Sequence, residues 1–86
     1  MISMKNYLIT FRSVTYAQKG ERILKRWGID SFLRRTPKAI ASRECGYCLQ
    51  LRPGDIERAV ELLQGQVPFG KVYGADYDGG FEELTV

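Results

Sequence analysis

Apolar and polar positions along the chain change spacing several times, and each change marks the boundary of an element. Tyr7-Leu8-Ile9-Thr10-Phe11 is a compact β-favouring run, and Ser13 follows it as a helix N-cap, so a strand leads directly into a helix. From Val14 to Trp27 the residues Ala17, Gly20, Leu24 and Trp27 share one helical stripe flanked by Tyr16 and Ile23. Lys19, Arg22, Lys25 and Arg26 fall on the wet side, and Gly28 is the stop. Ile29 to Thr36 reads as a second strand, placed at an edge by Arg34-Arg35 and Pro37. Lys38 to Glu44 has no clean period and reads as an ordered loop. Tyr47, Leu49 and Leu51 then alternate with Cys48, Gln50 and Arg52, the two-residue period of a half-buried strand, so Cys48 faces away from the apolar stripe. Pro53-Gly54-Asp55 starts a helix with Ile56, Ala59, Val60 and Leu63 inward and Gly65 at its end. Val67 to Tyr73 is expected as the last main strand. Residues 1–6 are read as an N-terminal extension, and 74–86 as a tail whose Phe81 to Val86 either adds a short strand or stays mobile.

The order strand, helix, strand, strand, helix, strand predicts an α+β fold. Its expected form is a ferredoxin-like split βαβ sandwich, an antiparallel sheet with both helices on one face. Right-handed crossovers make the first two strands parallel, so the loop from Pro37 to Cys48 returns to the end of the sheet where the first strand passes into its helix. Arg12, Ser13 and the free amides of that helix are thereby expected beside a loop more than twenty residues away in sequence.

Composition narrows the function more than the fold. The chain has 86 residues, 44% hydrophobic and 27% charged, which suits one globular domain spanning 1–86 and excludes low-complexity architectures. No run is long and apolar enough for a membrane span, and the first residues lack a signal peptide's apolar stretch, so the expected location is cytoplasmic. Histidine is absent. That removes Cys/His and Ser/His nucleophile pairs and the histidine-based zinc sites. Charge is uneven: eleven Lys or Arg face three acids through Arg52, whereas two face seven from Pro53 onward. A dipolar surface follows, which two solvated faces of a soluble domain explain before a charged partner does.

The two cysteines, Cys45 and Cys48, form a Cys-x-x-Cys pair. In a reducing compartment such a pair points to redox, sulfur-transfer or metal chemistry before a structural staple. A thioredoxin-like motif precedes a helix, whereas Leu49-Gln50-Leu51 continues here as strand. One pair supplies only two of zinc's usual four ligands, so metal would need a second subunit or carboxylates, and no cofactor is implied. The competing structural reading makes one cysteine a small packed hydrophobe. Cations and helix-start amides lower a thiol's pKa, and Arg12, Lys38 and Arg43 with the Ser13 helix start are the groups the topology offers Cys45.

The run YLITFRSVTYAQKGERIL, the Thr36-Pro37 step, and Cys45-Gly46 leading into the strand to Leu51 together resemble the selenium/sulfur (Se/S) carrier protein-like family, over nearly the whole chain to about Tyr73. The resemblance implies a bacterial, cytoplasmic carrier, rather than a free-standing enzyme, that holds sulfur or selenium as a persulfide or selenopersulfide on the family cysteine, which matches Cys45. Donor and acceptor proteins would be its partners. Cys48 is not among the residues that carry the resemblance, and reads as a resolving thiol, a second carrier atom or a local variation. The alternative reading is a non-catalytic dimerisation or protein-interaction module, because the first strand is apolar at both parities and the face opposite the helices need not be polar. Nucleic acid ranks last, since Tyr47 to Leu51 lacks the alternating Gly and aromatic pattern on which bases stack.

Overall fold

The computed structural model describes residues 4–41 and 46–84. Five strands and two helices follow the chain: β1 Met4–Phe11, α1 Val14–Arg26, β2 Ser31–Arg35, β3 Tyr47–Leu51, a single 3-10 turn Pro53–Asp55, α2 Ile56–Leu63, β4 Val72–Asp76 and β5 Phe81–Leu84. The strands form one sheet in the order β2-β3-β1-β4-β5, and every neighbouring pair is antiparallel. β1 and β2 therefore run parallel with β3 between them. The architecture is α+β with one five-stranded sheet, where four main strands were expected, with a further short strand from Phe81 as an open alternative.

Alternation along the strands decides which face is covered. Ile9, Phe11, Leu49, Leu51 and Val72 share one parity and pack with Ala17 and Leu24 of α1 and Ala59, Val60 and Leu63 of α2 in a single buried cluster. Both helices lie on that face. The close approach of α1 rests on Gly20, where an added Cβ would stand 3.1 Å from the Phe11 ring. Gly28 ends the helix at φ +77°, a conformation L-residues rarely adopt, while Trp27, Gly28 and Ile29 return their amides to Leu24 and Lys25 carbonyls.

Several expectations need correction. β1 begins at Met4, so Met4 to Asn6 are strand and not extension, because β4 continues to Asp76 and offers Met4 a partner. β2 is shorter than Ile29 to Thr36: Ile29 is held by the turn after α1. Trp27 is 53% exposed and does not join the buried stripe of Ala17, Gly20 and Leu24, since it is the residue at which α1 stops. The last main strand is Val72–Asp76, not Val67 to Tyr73. Val67 is buried, but its amide returns to the Leu63 carbonyl, and Pro68 next to it has no amide to give a ladder. Residues 81–84 do form the extra strand, hinged at Asp76, whose Oδ1 accepts from Asp78 and Gly80 amides at 2.9 and 2.8 Å. Asp55 does not cap α2 with its side chain; the 3-10 turn at Pro53 leads into the helix instead.

Candidate functional site

The register Phe11↔Tyr47 and Thr10↔Cys48 sets the end of β1 against the start of β3. Chain reversal after β2 therefore returns to the end of the sheet where β1 passes into α1, as the topology predicted. Thr36 donates its amide to the Gly46 carbonyl at 3.1 Å, extending the β2–β3 ladder by one step before the connection opens. Pro37 to Ile40 make a turn closed by the Ile40 amide on the Pro37 carbonyl.

Around this end the expected residues divide into three groups. Ser13 is the N-cap of α1, with Oγ accepting from the Tyr16 amide at 3.2 Å, and no acid occupies the first turn of the helix. The positive pole of α1 is thus left unneutralised by its own sequence. Arg12 is exposed in the turn between β1 and α1, and Lys38 is exposed in the Pro37 to Ile40 turn. Cys45 and Arg43 lie outside the described residues.

Cys48 is a free thiol and fully buried. It does face away from the helices, and its cross-strand neighbours on that open face are Thr10 on β1 and Arg34 on β2. Sequence reasoning missed both partners and also the part played by Thr36, because register is invisible in a single strand. Burial pushes the Cys48 thiol pKa up from its ordinary value; the Arg34 charge and the Thr36 hydroxyl act in the opposite direction without overcoming it. Thr36 Oγ1 is buried and finds no partner of good geometry among the described residues, so its contact with the sulfur is a weak one. The Cys48 Sγ lies 4.0 Å from the Arg35 carbonyl, a long donor contact. Thr10, by contrast, is committed elsewhere: its Oγ1 donates to the Lys71 carbonyl at 3.1 Å and accepts from the Lys71 amide at 2.8 Å.

These features define a small α+β domain with a protonated, protected thiol on the open sheet face, next to the connection that carries the second cysteine. The chain belongs to the family described as Putative Se/S carrier protein-like, whose model matches residues 6–73. No curated protein and no solved structure matches it. Among the described residues no cluster of three or more Cys, Asp or Glu could hold a metal ion, and no helix is long and apolar enough to cross a membrane.

Proposed function

We propose that the protein carries sulfur or selenium on Cys45, with Cys48 as a withheld second thiol. The observation that carries this reading is the family match, which spans Cys45-Gly46 and the Ser13 strand-to-helix junction together. Supporting it, the Phe11↔Tyr47 register puts the segment just after Cys45 beside the start of α1, whose first turn carries no acid. β1 through β4 with the two helices are read as a ferredoxin-like split βαβ unit to which β5 is added at one edge.

The chemistry balances without a further reagent. Cys45 thiolate attacks the outer sulfur of a donor persulfide, forming Cys45–S–SH and releasing the donor thiolate. An acceptor nucleophile then takes the terminal atom and regenerates the Cys45 thiolate. In the alternative discharge, Cys48 attacks the inner sulfur, closing the Cys45–Cys48 disulfide and expelling hydrogen sulfide or selenide. Burial keeps Cys48 protonated and slow, so cargo is not lost by this route while β3 stays closed.

Whole-protein mass spectrometry after incubation with a cysteine desulfurase and cysteine tests the proposal. The expected result is addition of one sulfur to wild type and to Cys48→Ala, and none to Cys45→Ser. Equal addition to Cys45→Ser, or none to wild type, removes the carrier reading. The interaction-module alternative then stands, and dimerisation in sedimentation with Phe32, 67% exposed on the open face, at the contact is its signature.

A further inference from the structure

At the opposite end of the sheet from Cys48, the start of β1, the start of β2 and the end of β3 enclose an open pocket of about 380 Å³, within the range of small-molecule sites. Its wall carries Lys5, Asn6, Gln50 and Arg52, beside the aromatic ring of Phe32. Each is there for a structural reason. β1 pairs Met4 with Asp76 and Asn6 with Ala75, so Lys5 is the extra residue of a β-bulge, a device that re-aims a side chain out of the regular alternation. Gln50 is oriented by Arg34, whose Nη1 donates to Oε1 at 2.9 Å, which leaves the Gln50 amide nitrogen as the free donor end. Arg52 meets the one acid on the wall, Asp30, at 3.6 Å with both side chains largely exposed, a loose pair that an anion can displace.

Donors and positive charge thus dominate one side, and an unburied aromatic face stands on the other. Phe32 is 67% exposed, so packing in the core does not account for it. We propose that this pocket binds a phosphate attached to a nucleobase, with Lys5 and Arg52 on the phosphate, the Gln50 amide on the sugar or phosphate oxygens, and the base stacked on Phe32. The phosphate and base come either as a free mononucleotide or as one residue of a single strand. Its described lining does not include Cys48, and the test reads nucleotide binding rather than sulfur transfer, so it stands or falls independently of the carrier chemistry.

The test is titration of the isotopically labelled full chain with AMP, adenosine, inorganic phosphate and a short single-stranded RNA, followed by amide shifts. AMP is expected to move Ser31, Phe32 and Gln50 to Arg52, and to bind about tenfold or more tighter than adenosine or phosphate alone. Arg52→Glu and Lys5→Glu each weaken AMP by about tenfold, and Phe32→Ala weakens AMP by a similar factor while leaving phosphate unchanged. All three side chains are exposed, and unchanged thermal unfolding confirms the fold. RNA binding far above AMP through the same amides makes a strand the source; no gain over AMP makes it the mononucleotide. AMP that moves none of these amides, or binds no better than phosphate with Phe32→Ala unaltered, overturns the assignment.

Discussion

The two faces of the sheet bury residues to the same degree by different means. On the helix-covered face Ile9, Phe11, Leu49 and Val72 are fully enclosed by apolar groups from both layers. On the open face Leu8, Thr10 and Cys48 are equally inaccessible, at 1% exposure or less, yet no helix covers them. Their neighbours across the strands are Gln50 and Tyr73 beside Leu8, and Thr10 and Arg34 beside Cys48. The partners across the strands there include polar and aromatic side chains, where the helix-covered face has apolar ones. The difference matters chemically. A purely apolar wall gives a thiol nothing to ionise against, whereas the open face sets the Arg34 guanidinium and the Thr36 hydroxyl against Cys48.

Truncations on the two faces sharpen that contrast. Phe11→Ala should cost about 3–5 kcal/mol in urea unfolding, because it opens a cavity walled by two layers and faces Gly20 directly. Leu8→Ala should cost about 2 kcal/mol, near the lower end for a buried leucine, since flexible neighbours can close over the gap. Equal losses would mean that the open face is packed as rigidly as the core. Thr10→Val comes next, at about 1–2 kcal/mol. It removes the hydroxyl that both donates to and accepts from Lys71, so the Lys71 amide loses the Thr10 acceptor while the volume is kept. A loss no larger than a few tenths in the same unfolding measurement would show that water replaces the hydroxyl freely. Phe32→Ala, on the exposed part of this face, should change stability by less than about 0.5 kcal/mol.

Local chemistry made much of this legible. Ser13 reads as a cap and is one, and the Ala17, Gly20 and Leu24 stripe packs where its spacing puts it. The parity of Cys48 follows from Tyr47 and Leu49 on either side of it, because alternation is a property of the strand alone. What could not be read is whatever depends on register or on pairing at a distance. Arg34 reaches Cys48 only through the β2–β3 ladder, and Lys5 becomes a bulge only because β4 is one residue short opposite it. The misplaced start of β4 has the same origin: Val67 is apolar and buried for the helix end, and its hydrophobicity is indistinguishable in sequence from that of a strand.

The smallest effect probes the open face most directly. With its pKa raised by burial, the Cys48 thiol stays protonated in the folded protein while the same thiol in the unfolded chain ionises near its ordinary value of 9.0. Below that pH both states hold the proton and stability is unaffected; above it the unfolded state loses the proton first, so stability falls as pH rises toward the folded-state value. Urea unfolding followed from neutral pH to above 9.0 should therefore decline more steeply for wild type than for Cys48→Ala, which subtracts the other titrating groups. Arg34→Gln should steepen the decline, because the guanidinium is the charge that favours the thiolate, and it should slow alkylation of Cys48 further. If Arg34→Gln instead leaves both slope and alkylation rate at wild-type values, the guanidinium is screened by solvent, and the open face protects its thiol by steric cover alone.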